Sequence, residues 1–192
     1  MPKIEADSLA QHRANREKAL IDAARRLLLA DGVAAVTPSK VAAQVGLARS
    51  AVYTYIHSGR HLLVRLLDDD FTGWAEQIHA VVRAAGPDPD ARLHAYARGT
   101  LQLAAAGTYR VVTTLPGGQL DEQLRTRVDE LLNEVTAPLH AALVERGDTD
   151  PDTTAALVQA AVDAAVRLIE TGRAVDPVVD RTLRFLRGAI AH

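Results

Sequence analysis

Apolar residues recur along this chain at intervals of three and four and never in sustained alternation, which predicts helices throughout and no sheet. The first clear stripe is Leu20, Ile21, Ala24, Leu27 and Leu28, one face of a helix over about residues 13–30. Two short segments follow, with Val41, Ala42 and Val45 inward in one and Ala48, Val52 and Tyr55 in the other. Neither has enough apolar surface to stand alone, so each needs the other as a partner. A long helix to about residue 83 then places Leu63, Leu66, Leu67, Phe71, Trp74, Ile78 and Val81 inward. The next, from Pro89 to about Ala106, buries Leu93, Tyr96, Ala97, Thr100, Leu101 and Ala104.

After Gly107 a short helix is stopped by Pro116 and the pair Gly117 and Gly118. A helix over about 121–146 repeats Leu124, Val128, Leu131, Leu132, Val135, Leu139 and Leu143, with Pro138 expected to kink it. Residues 154–170 are apolar almost all round, relieved by a line of Gln159, Asp163, Arg167 and Glu170. The last helix, Pro177 to Ala191, presents Val179, Leu183, Leu186 and Ile190. Boundary signals agree with this division. Thr37-Pro38, Asp88-Pro89, Asp150-Pro151 and Asp176-Pro177 each put a capping oxygen before a proline, and glycines at 32, 46, 86, 107, 147 and 172 each follow an apolar run. The expected fold class is all-α, with about nine helices.

Charge changes the picture at one end. Over the whole chain 22 basic residues face 24 acidic ones, but residues 1–60 carry net +4 and the rest net −6. An N-terminal part that meets a polyanion and a C-terminal part with another task would show this asymmetry. The two short helices supply matching chemistry. A helix-turn-helix needs a small residue where its helices cross, a glycine at the turn and an apolar anchor in the second helix, and Ala42, Gly46 and Val52 are so spaced. The second helix then offers Arg49, Ser50, Tyr53 and Thr54 to a DNA groove. An ordinary helical corner with solvated polar residues has similar spacing.

From Ala19 to Leu63 the chain resembles the TetR family of bacterial transcriptional repressors. The shared pattern is Gly32 ending the first helix, Thr37 capping the second, Ala42 and Gly46 at the crossing and turn, then "VYTYI" over 52–56 and "HSGRHLL" opening a fourth helix. Two positions depart: Ile56 stands for the usual aromatic, and Gly59 for the lysine that commonly grips phosphate, with Arg60 beside it. The resemblance implies backbone contacts from Thr37, Tyr53 and Tyr55 and base reading by Arg49, Ser50, Ala51 and Thr54. Ser39, Lys40, His57 and Arg60 complete the expected contact surface. For Tyr55 the helical wheel points inward and the resemblance points to DNA.

Further expectations follow for the remainder. The chain divides into a DNA-binding domain over 1–60 and an effector-binding and dimerisation domain over 61–192. Phe71, Trp74, Tyr96, Thr100, Tyr109 and Thr113 would bring aromatic and hydroxyl groups around a mainly apolar small-molecule effector. Equally, Tyr96 and Thr100 would serve as hydrogen-bond partners of a neighbouring helix. Val158, Val162, Leu183, Leu186 and Ile190 would form a four-helix homodimer seam. Gln159, Asp163 and Arg167 read as a pocket wall or as a structural pair.

Other functions find little support. His57 and His61 lack a third metal ligand, no Walker or GxGxxG loop exists, and the four serines (8, 39, 50, 58) lie outside any nucleophile elbow, so neither enzyme, metal nor cofactor is expected. With no cysteine, no signal peptide and no long apolar run, the expected home is cytoplasmic, without membrane insertion. The expected function is a ligand-released repressor that binds a palindromic operator as a homodimer. The alternative is an all-helical protein-protein adaptor, which would leave Arg49, Ser50 and Tyr53 idle.

Overall fold

The computed structural model describes residues 2–107, 110–114 and 120–190. Tyr109, Pro116, Gly117 and Gly118 therefore lie outside the described residues, and Thr113 is described only as a position in a helix. Among the described residues there are nine α-helices and no strand: α1 (Pro2–Asp31), α2 (Pro38–Gln44), α3 (Arg49–Val52), α4 (Gly59–Ala84), α5 (Pro89–Ala105), α6 (Arg110–Thr114), α7 (Glu122–Arg146), α8 (Pro151–Glu170) and α9 (Val175–Ile190). Among the described residues no helix is long and apolar enough to cross a membrane.

The chain forms two compact units, and neither is a continuous stretch. One unit takes residues up to Asp69 together with Val111–Arg127; the other takes Asp70–Arg110 and the residues from Val128 onward. The sequence suggested a single cut after residue 60. The return of the α6 and early α7 residues to the N-terminal unit is a long-range pairing that no local signal announces.

In the N-terminal unit the stripe of α1 is buried as expected, with Leu20, Ala24 and Leu28 wholly enclosed. It packs on α2 and on a 3-10 turn over Val33–Ala35. Helix α1 begins much earlier than residue 13, because helix formation in its polar first turns needs no apolar stripe, only residues compatible with the conformation. Four guanidinium–carboxylate pairs hold α4 in this unit: Arg25 with Asp69 at 2.8 Å, Arg65 with Glu17 at 3.3 Å, Arg127 with Asp68 at 2.8 Å and Arg60 with Asp121 at 3.1 Å. Arg13 and Arg65 together hold the Glu17 carboxyl below its ordinary range. Each pair is largely exposed, so its contribution is about 0–1 kcal/mol.

The second unit is built on mutual packing of α5, α8 and α9. Phe71 and Trp74 of α4 lie in its core with ring centroids 5.6 Å apart. Toward the end of α4 the stripe passes through Val82 rather than Val81, which is 40% exposed. Pro138 sits inside α7 and removes the amide that would bond the carbonyl of Glu134. That carbonyl accepts instead from His79 Nε2 at 3.0 Å, which fixes the protonated nitrogen of that imidazole.

Three of the four proline caps form as expected, with Thr37, Asp88 and Asp150 each accepting from amides of the first turn. The fourth does not. Helix α9 starts at Val175, so Asp176 and Pro177 already lie inside its first turn. All first-turn amides lack intrahelical acceptors, and proline is tolerated at any of them.

Candidate nucleic-acid interface

The helix-turn-helix is assembled by backbone bonds as much as by apolar contacts. Thr37 lies in an extended conformation, and its Oγ1 accepts from the amide of Lys40 at 3.3 Å, starting α2. At the other end Gly46 has φ of 68°, a left-handed conformation that costs a side-chain-bearing residue about 1–2 kcal/mol. It allows the amide of Leu47 to reach the carbonyl of Ala42 at 2.9 Å and its own amide to reach Ala43 at 3.4 Å, a Schellman closure. The chain is thereby turned into α3.

Helix α3 is shorter than the periodicity suggested. Only Arg49–Val52 is α-helical, after which Thr54 and Tyr55 bond three residues back, to Ala51 and Val52. The amide of Ile56 still bonds four residues back, to Val52 at 2.9 Å, so these two share one face. Val52 and Ile56 are the buried anchors, whereas Ala48 is exposed and Tyr55 half-buried, with the Arg13 guanidinium carbon 6.0 Å from its ring centre. Ile56, the departure from the family's aromatic, is an enclosed core residue.

With the anchors inward, Ser39, Lys40, Arg49, Ser50, Tyr53, Thr54, His57 and Arg60 are exposed, and Thr37 and Ala51 are half-buried. The α2–α3 pair thus presents hydroxyls, an amine, a guanidinium and a phenol on a rigidly closed turn. Those groups suit phosphate and base-edge contacts. His57 and His61 stack at 5.2 Å, and the His57 amide donates to His61 Nδ1 at 3.3 Å, so this pair shapes the entry to α4. No cluster of three or more candidate metal ligands occurs among the described residues.

Two features at the start of α4 escaped sequence reasoning. A Cβ on Gly59 would lie 2.7 Å from the carbonyl oxygen of Val36, so α4 approaches the backbone before α2 too closely for any side chain. Arg60, the neighbouring cation, is engaged by Asp121, whose Oδ1 also accepts from the amide of Leu124 at 2.9 Å. Nothing local links positions 60 and 121.

Of the residues expected around an effector, the four whose side chains are described are packed rather than open. Phe71, Trp74, Tyr96 and Thr100 are all buried, and the Tyr96 hydroxyl donates to Gln159 Oε1 at 2.6 Å. Gln159 in turn donates to Asp163 Oδ1 at 2.7 Å. Gln159 on the polar line of α8 is therefore the hydrogen-bond partner of Tyr96 on α5. Burial, with the Asp163 carboxylate adding to it, pushes the Tyr96 phenol well above its usual range, so it remains a donor. Two cavities of this unit are lined by other residues.

Of the residues expected at a subunit seam, Val158, Val162, Leu183 and Leu186 are buried in the chain's own core, and Ile190 is half-buried. They fill the space where α5, α8 and α9 meet. The exposed apolar face of α8 and α9 is carried by Leu157, Ala160, Ala164, Leu168, Phe185 and Ala189 around a groove of about 650 Å3, whose lining also includes Val158, Leu186 and Ile190. Phe185 lies among arginines at 181, 184 and 187, off the Val179, Leu183, Leu186 and Ile190 stripe, and that was the available signal.

Residues 20–65 match the family model of "Bacterial regulatory proteins, tetR family". No match to the chain was found among curated proteins. Among solved structures, SCO4454, a TetR-family transcriptional regulator from Streptomyces coelicolor, is 19% identical with a TM-score of 0.78, over 98% of this chain and 93% of that one. The transcriptional regulator FadR from Bacillus subtilis in complex with stearoyl-CoA is 20% identical with a TM-score of 0.76, over 88% and 96% of the two chains. AibR in complex with isovaleryl coenzyme A and operator DNA is 20% identical with a TM-score of 0.71, over 89% and 97%. Over residues 20–65 the chain thus matches the N-terminal model of the bacterial tetR-family regulators, and its fold as a whole is similar to that of such a regulator.

Proposed function

We propose that this chain is a transcriptional regulator acting as a repressor, a homodimer that binds a palindromic operator through α3 and its flanks and is released by a small-molecule effector. The observation that carries the reading is the exposed set Arg49, Ser50, Tyr53 and Thr54 on a turn locked by Gly46 and anchored by Val52. The basic balance of residues 1–60 supports it. The exposed face around Phe185 supports association with a second copy, because an apolar patch of this kind on α8 and α9 is covered in a four-helix seam. The bound stearoyl-CoA and isovaleryl coenzyme A of the similar regulators support an effector with an apolar acyl part. Release is then linkage: the effector lowers operator affinity by its preference for the conformation that binds DNA less well.

Operator selection from random duplex DNA tests the reading. Recovery of a two-fold symmetric site, and its release by an acyl compound, are the expected results; failure to enrich any sequence would overturn it. On the selected site Arg49→Ala should cost about 1–3 kcal/mol and relax base preference at one position of each half-site. Tyr53→Phe should weaken all sequences alike through loss of a phosphate bond. Unchanged affinity in both variants would remove α3 from the interface.

Asp121 competes with DNA phosphate for Arg60, because its Oδ1 lies 3.1 Å from Arg60 Nη2 and offsets part of the guanidinium charge. Asp121→Asn is therefore expected to raise operator affinity severalfold and steepen its salt dependence by about one counterion. A salt titration of both proteins measures this. An identical slope would show that Arg60 stays away from the phosphates.

A further inference from the structure

The α5–α8–α9 unit contains a cavity of about 260 Å3 whose floor is Leu93, Val158, Leu186 and Ile190. Its rim carries Asp90, His94, Arg146 and Arg187. The charges there are not equally matched. Arg146 Nε is 2.7 Å from Asp90 Oδ1, a full ion pair. Arg187 Nε instead donates to His94 Nε2 at 3.5 Å, and an imidazole nitrogen that accepts carries no charge to offset the guanidinium.

We infer that this cavity binds a small amphipathic anion, an organic monocarboxylate whose tail lies on the apolar floor and whose carboxylate is held by Arg187. An apolar box with a few placed polar groups is the usual form of a small-molecule site. Guanidinium is the side chain best shaped for a carboxylate, which it grips through two parallel hydrogen bonds. Asp90 at the same rim opposes a dianion. The volume of about 260 Å3 lies below the roughly 300–1,000 Å3 of drug-sized pockets, so the guest is small and a whole coenzyme A thioester is excluded. On α9, Arg187 and Phe185 are two residues apart, about 200° around the helix axis, while Val158, Leu186 and Ile190 line both this cavity and the apolar groove.

The inference rests on the cavity and not on the regulator reading, and its test needs no DNA. Octanoate and octan-1-ol are titrated calorimetrically into the full chain, its Arg187→Gln variant and its Ile190→Trp variant. Saturable binding of one octanoate per chain is expected, at least tenfold tighter than octan-1-ol. Arg187→Gln should weaken octanoate at least tenfold and leave octan-1-ol unchanged, because Arg187 is exposed and its loss leaves the core intact. Ile190→Trp, which fills the floor, should weaken both at least tenfold. Absence of saturable octanoate binding, equal affinity for the two compounds, or an Arg187→Gln variant that binds octanoate like the unmodified chain would each overturn the inference.

Discussion

Lysine in place of Gly59 is expected to weaken operator binding, although it restores the residue that the TetR pattern commonly carries at that position. The obstacle is backbone. A Cβ there would sit 2.7 Å from the Val36 carbonyl oxygen and 3.8 Å from both the Thr37 Cα and the Pro38 Cδ. None of these atoms belongs to a flexible side chain that can swing aside, so the start of α4 must move away from the start of α2. Overpacking of this kind costs about 1–3 kcal/mol, and here the strain falls on the element that carries Thr37, Ser39 and Lys40. Gly59→Ala should show most of the same loss without any added charge. Urea unfolding of the two variants, beside their affinity for the selected operator, checks the expectation. Tighter binding by Gly59→Lys with unchanged stability would refute it.

Phe185→Glu should have the larger effect on assembly. Phe185 is 62% exposed and Leu157 67%, and both line the 650 Å3 groove along α8 and α9. A carboxylate placed there is solvated in a lone chain, with Arg181 one turn back, but must give up that water between two chains. The dimer should therefore dissociate at micromolar concentration, and operator affinity should fall by about a hundredfold or more because the two half-sites are read jointly. Sedimentation equilibrium gives the mass, and thermal unfolding shows whether the single chain is intact. A glutamate at Leu183 or Leu186 is a poorer test: these are 7% and 5% exposed, and a buried charge would unfold the unit itself. If the unmodified chain sediments as a monomer, or if Phe185→Glu remains dimeric, this face is not the seam.

Local interactions were legible in the sequence. The six glycines that followed apolar runs all have positive φ, and three of the four proline dipeptides cap helices as expected. These features depend on one residue's conformational freedom or on an oxygen two or three residues from an amide, so a few neighbouring letters determine them. The inward stripe of α5 was equally readable, with Leu93, Tyr96, Ala97, Thr100, Leu101 and Ala104 all buried. Periodicity had given that result because a regular helix repeats its facing every 3.6 residues.

Facing failed where the helix is irregular or where two apolar faces compete. After Val52 the chain tightens into a turn, and only packing decided that Ile56, one turn on, is enclosed while Tyr55 is half-buried. Helices α8 and α9 each carry two apolar sides. Only their packing with α5 decided that Val158, Val162, Leu183 and Leu186 go inside and that Leu157 and Phe185 stay out. Pairings distant in sequence were likewise invisible, among them Arg60 with Asp121, His79 with the carbonyl freed by Pro138, and Tyr96 with Gln159. The sequence by itself thus determined most helix boundaries, the starts of α1 and α9 and the end of α3 excepted, and that the second short helix and the turn after it present Arg49, Ser50, Tyr53 and Thr54. The tertiary structure alone decided which apolar side is core, which cations are already paired and where cavities remain, because each of these depends on atoms brought together from opposite ends of the chain.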